Sequence, residues 1–267
     1  MFSLTLGARI TDRTVPDTPS TGVRRLVQLL GRNGGALVLT NLIFCLGLAP
    51  SAILYVLFLV GSLGAYALPL SLVAAAPVGG LVSACLVVIT RRLGNDPGPV
   101  LADVRRTWSA CLVLAMVPGL ACTAFVYAQM YLWSSALFGG GRLDLLMVGA
   151  DAISLLLFGM LAPPVFLQIA YLGAPVTRIL QNSVILVAAS PLHSCLGAVT
   201  GGLVWLVVLV TFPGSLLATP LLLACGFSVS WLLTLLWIWP GMSRRLGITM
   251  TSGVAGAAYV ADRMAGI

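Results

Sequence analysis

The chain has 267 residues, 60% of them hydrophobic, and its formal charges come from only 14 arginines and 7 aspartates. Charged residues make up 8% of the chain, against about 25% in ordinary soluble domains. This composition excludes a disordered chain, a nucleic-acid-binding globule and a large catalytic domain outside a membrane. It predicts an all-α, polytopic membrane protein.

The spacing of the charges predicts the number of spans. No charged residue lies between Arg32 and Arg91, or between Arg178 and Arg244. Because a helix needs about 20 apolar residues to cross a bilayer, each interval accommodates two spans and a turn. Two shorter intervals accommodate one span each. The six predicted spans lie at about 36–60, 68–90, 109–134, 146–171, 183–210 and 216–240.

The arginines also predict the orientation of this six-helix bundle, residues 34–243. With the N-terminus inside, 13 arginines are cytoplasmic and only Arg142 is external. This is the positive-inside pattern, and an even span count places the tail, residues 244–267, in the cytoplasm as well. The net charge of +7 is therefore a topology signal, and the partner it indicates is the lipid bilayer rather than nucleic acid.

The first 33 residues are predicted to form a cytoplasmic arm that ends in an interfacial helix. Between residues 20 and 33, apolar side chains recur at helical spacing while arginines take the other face. Asn33 and Gly34 are expected to end this helix before the first span begins.

Prolines and small residues recur within the predicted spans, where they kink helices or allow close helix packing. The positions that we assign to kinks or packing are Pro50, Pro77, Gly79, Pro163, Pro164 and Pro191.

The inner loop, residues 91–108, contains two helix-start signals, Asp96-Pro97 and Gly98-Pro99. A short helix lying flat on the cytoplasmic surface is expected after them, with Trp108 at headgroup level. This helix has two interpretations: an anchor for the third span, or a docking surface for a partner. The docking candidates are Arg91, Arg92, Asp96, Leu101, Asp103, Val104, Arg105, Arg106 and Trp108.

Two ionisable residues, Asp151 and His193, fall inside predicted spans, at about 10 Å from the outer end and about 16 Å from the inner end. We hypothesise that they approach each other, with Gln168 or Asn41 nearby, because such groups usually face a cavity or one another. The alternatives are interfacial snorkelling of Asp151 and a hydrogen-bonded core histidine beside Pro191.

No catalytic motif accompanies these residues: the chain lacks nucleotide-binding glycine fingerprints, metalloprotease motifs and paired carboxylates. The six cysteines lie in or beside apolar runs without ligand spacing, which is typical of packing residues. We therefore expect no cofactor, no metal and no enzymatic activity.

Three segments share a pattern with a known family. The first runs from Ala76 to Trp108 and contains, in order, Pro77, Gly79, Arg91, Asp103 and Trp108. The second runs from Thr177 to Ala188, and the third spans 41–50. In these segments the chain resembles the YesL-like family of small bacterial membrane proteins, with Val104 where the family has Phe and Gln181 where the family has Lys.

The resemblance implies a helical protein of the bacterial plasma membrane with an accessory role beside carbohydrate ABC-transporter components. The family's biochemical function is not established. Three functions therefore compete: an accessory or docking protein, a small-solute transporter or channel with a polar site near Asp151 and His193, and an intramembrane enzyme acting on lipid. The chain lacks the EAA-type coupling loop of a sugar permease, which counts against a permease role.

Overall fold

A computed structural model of the chain describes residues 23–61, 66–93, 98–138, 145–211 and 222–246. All regular structure in these ranges is helical. By internal contacts the chain divides between Gly34 and Gly35. The described residues of the first part, from Val23, are helical, and the second part contains the rest of that helix and all the later helices.

Eight α-helices and one short π-helix follow in chain order within the described ranges. They are α1 (Val23–Leu59), α2 (Ala67–Ala75), α3 (Val78–Leu93), α4 (Val100–Phe138), α5 (Leu145–Leu172), α6 (Val176–Ala189), α7 (Pro191–Thr211), the π-helix Leu222–Gly226, and α8 (Phe227–Leu246).

Five segments are long and apolar enough to cross a membrane: 26–59, 67–93, 100–133, 147–172 and 224–242. Their outer surfaces carry large apolar side chains, such as Leu46, 73% exposed, and Val117, 64% exposed. Soluble proteins rarely expose such surfaces in continuous patches. The helices are thus compatible with an integral membrane protein of five or six spans.

The predicted fifth span, 183–210, is not one straight helix. α6 ends at Ala189, α7 begins at Pro191, and the two axes differ in direction by 100°. Proline disfavours helical geometry at the residue before it and is well suited to the first turn of a new helix. The boundary therefore falls at Ser190, inside the apolar run.

Two further expectations are corrected at the ends of helices. α1 continues through Asn33 and Gly34, so the predicted break there is absent. The flat surface helix before the third span is also absent, because α4 runs without interruption from Val100 to Phe138. Its start agrees with the Gly98-Pro99 signal, since the Asp103 N–H donates to the Pro99 carbonyl at 3.1 Å.

α3 lies at the centre of the bundle. Every residue of α3 except Arg91 and Arg92 is buried. It packs against α4, α5 and α8, and the Cys85 thiol meets the Thr40 carbonyl of α1 at 3.8 Å. An all-round apolar helix is the expected occupant of such a position.

Glycines permit the closest helix crossings. A Cβ atom placed on Gly79 would lie 2.1 Å from the Ala115 carbonyl oxygen, and one placed on Gly119 would lie 2.6 Å from the Gly79 Cα. On α7, a Cβ atom at Gly201 would lie 2.1 Å from the Thr234 hydroxyl of α8. These backbones approach so closely because the crossing residues have no side chain.

The predicted kink prolines have different local roles. Pro77 lies between α2 and α3, which together form one 27-residue candidate span. Pro191 begins α7. Pro50, Pro163 and Pro164 lie inside helices that continue past them.

Candidate functional site

One end of the bundle collects arginines from several helices, and we call it the basic end. The ends of α3, α5 and α8 meet there: the Thr90 and Tyr171 hydroxyls are 2.5 Å apart, and the Tyr171 ring lies 5.6 Å from that of Trp239. The arginines that these helices and their neighbours carry at this end are Arg91, Arg92, Arg105, Arg106, Arg178 and Arg245.

Charged groups link the end of α3 to the start of α4. The Arg91 guanidinium forms an ion pair with the Asp103 carboxylate, and both side chains are mostly buried. Arg92 donates to the carbonyl of Gly98. A Cβ atom on Gly98 would lie 2.7 Å from the Arg91 guanidinium, so a larger residue there would require this side chain to shift.

Several predicted docking residues therefore make their contacts within the protein itself. Arg91, Arg92 and Asp103 link the end of α3 to the start of α4, while the side chain of Val104 is buried. Leu101, one turn before Val104, is by contrast 64% exposed. Asp96 lies outside the described residues.

The remaining candidates form one exposed surface, which we call the α4 face. Leu101, Arg105, Arg106 and Trp108 fall within about 160° of the helix circumference, at 100° per residue, and all four are exposed. The Trp108 indole N–H donates to the Pro77 carbonyl at 3.2 Å, so this ring is tied to the junction of α2 and α3. The α4 face is thus a basic and apolar surface on a rigidly held helix.

Asp151 belongs to a small polar cluster between α4 and α5. The Trp133 indole N–H donates to Asp151 Oδ2 at 2.6 Å. The Ser154 hydroxyl donates to the Asp151 carbonyl at 2.8 Å and accepts from the Gln129 amide at 3.0 Å. Asp151 lies about 30 Å along α5 from Tyr171, which is one full bilayer core away from the basic end. This position supports the interfacial alternative for Asp151.

Asp151 and His193 do not form a pair. Gly159 of α5 lies against Ala198 of α7, since a Cβ atom on Gly159 would be 3.0 Å from that of Ala198. Five residues further along α5, Pro164 shares a small cavity with Ser194, so the two helices are antiparallel.

In this antiparallel register, Asp151 and His193 lie on opposite sides of the contact between Gly159 and Ala198. Asp151 lies eight residues from Gly159 on α5, and His193 lies five residues from Ala198 on α7. At about 1.5 Å per residue, the two side chains are therefore about 20 Å apart along the helix axes. That is about twice a helix diameter. The hypothesis failed because it counted depth from the start of a span at 183, whereas α7 begins at Pro191.

The two predicted amides make separate interhelical contacts. Gln168 of α5 donates to the Ser183 hydroxyl of α6 at 2.8 Å, and Asn41 of α1 accepts from the Ser228 N–H at 3.1 Å. Ser228 is the second residue of α8, so its N–H has no acceptor within its own α-helix. Asn41 thus bonds across helices, as expected for an amide in lipid.

A buried hydroxyl network joins α1, α2 and α4, and the sequence analysis missed it. The Ser51 hydroxyl donates to the Ser71 carbonyl at 2.7 Å and lies 2.5 Å from the Tyr127 hydroxyl. The Tyr55 hydroxyl donates to the Tyr127 carbonyl, and the two rings stack at 4.1 Å. The available signal was two tyrosines inside apolar runs, where a buried hydroxyl needs a partner.

Among the described residues, no group of three or more histidine, cysteine or acidic side chains is arranged to hold a metal ion. No protein-family model matches the chain, and neither a curated protein nor a solved structure is significantly similar to it.

Proposed function

We propose that the protein is an integral membrane docking protein with six spans and both termini in the cytoplasm. The observation that carries this proposal is the α4 face, which presents Leu101, Arg105 and Arg106 outward. The ion pair of Arg91 and Asp103 holds the start of α4 in place without using these side chains. A preorganised surface binds a partner with less loss of conformational entropy.

The chemistry of the α4 face favours an acidic partner. Two neighbouring exposed arginines attract carboxylate-rich surfaces, and an exposed leucine and tryptophan supply apolar contact. The resemblance to the YesL-like family suggests a component of a carbohydrate ABC transporter in the bacterial plasma membrane as this partner.

The packing of α3 argues for docking over transport. A helix that is buried on all sides fills the centre of the bundle, where a path for a solute would run. The polar residues predicted to share one transport site also lie apart, since Asp151 accepts a hydrogen bond from Trp133 while Gln168 donates one to Ser183. The transporter alternative therefore has less support.

The test is co-purification of the full chain from mild detergent with identification of the bound proteins. We expect the double variant Arg105→Glu and Arg106→Glu to lose a specific partner that the wild type retains. Arg178→Glu, which reverses a charge at the same end but on α6, is the matched control and should keep it. If the double variant keeps every partner of the wild type, or the purified protein alone moves a solute into liposomes, the docking proposal fails.

A further inference from the structure

α6 lies level with the basic end of the bundle. The Ser183 hydroxyl of α6 accepts a hydrogen bond from Gln168, which lies four residues before the end of α5. The Ala189 carbonyl of α6 accepts a hydrogen bond of 3.0 Å from Arg245, which lies one residue before the end of α8. Both halves of α6 are thus tied to helix ends at the same level.

α7 by itself is long enough to complete the crossing. Its 21 residues extend about 30 Å, which is the thickness of a bilayer core. Since α6 meets α7 at 100°, a helix α7 that crosses the membrane leaves α6 nearly parallel to the membrane surface.

The side chains of α6 divide into two flanks around its buried face. Ile179 and Ser183 point into the bundle and are completely buried. At 100° per residue, Leu180 and Val184 lie 80° to 120° to one side of this buried face. They are apolar, and they are 49% and 56% exposed.

The opposite flank of α6 carries polar side chains, followed by the exposed Ile185 towards its C-terminal end. Arg178 and Asn182 lie 80° to 120° to the other side of the buried face. A helix with one apolar flank and an arginine on the other, held parallel to the membrane, places the apolar flank in acyl chains and the arginine among headgroups.

The charges near α6 lack an acidic partner in their own part of the chain. The sequence contains no acidic residue from position 152 to position 261. Arg178 is exposed, and Arg245 uses one of its five N–H donors on the Ala189 carbonyl. Anionic lipid headgroups on the cytoplasmic leaflet offer the complementary charge.

From this geometry we infer that α6 is an interfacial helix in the cytoplasmic leaflet, where Arg178 and Arg245 bind the phosphate of anionic phospholipids. The inference shares the orientation given under the proposed function, but it does not depend on the α4 face. It also assigns the fifth crossing to α7 alone and moves His193 to the membrane surface.

The first test is the position of His193 relative to the membrane. In a cysteine-free background, His193→Cys should react with a membrane-impermeant maleimide in inside-out vesicles, and it should stay unreactive in right-side-out vesicles. Leu203→Cys, ten residues or about 15 Å deeper on α7, is the control and should react in neither. If His193→Cys is as unreactive as the control, or reacts from outside, the interfacial position of α6 is wrong.

The second test measures binding of phosphatidylglycerol to the purified chain in phosphatidylcholine nanodiscs of varied composition. We expect Arg178→Gln to weaken this binding about five-fold, the effect of one arginine near an anionic surface. The control Arg105→Gln, on the α4 face, should leave it unchanged. Equal binding in both variants and the wild type, or equal weakening in both variants, would overturn the lipid site while leaving the docking proposal untouched.

Discussion

The crossing of α3 and α4 gives a prediction whose size follows from the structure. In Gly79→Ala, the new methyl group would lie 2.1 Å from the Ala115 carbonyl oxygen and 2.8 Å from the Gly119 Cα. Ordinary contacts begin at 3.4 Å, so the helices must separate by about 1.3 Å. Both obstructing groups belong to the backbone, and no side-chain rotation relieves the clash.

Overpacking costs about 1–3 kcal/mol, and we expect the upper end here because a central helix must move. A loss of about 3 kcal/mol lowers the ratio of folded to unfolded protein about 100-fold. The assay is unfolding in mixed micelles of increasing sodium dodecyl sulfate, followed by the fluorescence of the six tryptophans. Gly149→Ala on α5 is the control, because its methyl group would meet nothing within 4 Å. Unfolding of both variants at the same detergent fraction would refute the argument.

Three further predictions use the same protein. Asn41→Leu should lose about 1–2 kcal/mol of stability in the micelle assay, because the buried Ser228 N–H loses its acceptor; stability equal to wild type would contradict this. Asp103→Asn should lower the stability of the fold by about 1–2 kcal/mol. Adding Arg91→Gln to this variant should lower the stability little further, because the two residues act as one ion pair. Additive losses of stability in this double-mutant cycle would contradict the ion pair. In a cysteine-free background, cysteines at positions 159 and 198 should form a disulfide on mild oxidation, seen by a gel shift after proteolysis between them. Cysteines at 151 and 193 should not, and a bond there would refute the antiparallel register of α5 and α7.

The helical class of the described residues follows from composition, and the candidate spans follow from apolar runs. The interhelical bond of Asn41 was also predictable, because a buried amide in lipid must find a partner. The error at 183–210 arose because hydropathy measures how apolar a segment is and not which way its axis points. Pro191 carried the needed signal, since the residue before a proline disfavours helix.

The docking candidates show a different limit. In the sequence, Arg91, Asp103 and Arg105 are all charged members of one predicted loop and are equally good docking candidates. In the fold, Arg91 and Asp103 satisfy each other, whereas Arg105 remains exposed. Sequence spacing does not reveal this difference, because the two paired residues lie on separate helices that are brought together by the packing of α3 against α4.

The sequence by itself determined that the described part of this chain is helical and apolar, with every formal charge except Asp151 at the ends of the apolar runs or outside them. Those properties depend only on residue type and on spacing between near neighbours in the sequence. Only the tertiary structure decided that α3 is central, that α6 turns 100° away from α7, and that Asp151 and His193 lie apart. These features depend on which faces pack together, and that choice is made by contacts between residues far apart in the sequence, such as Gly79 with Gly119 and Ala189 with Arg245.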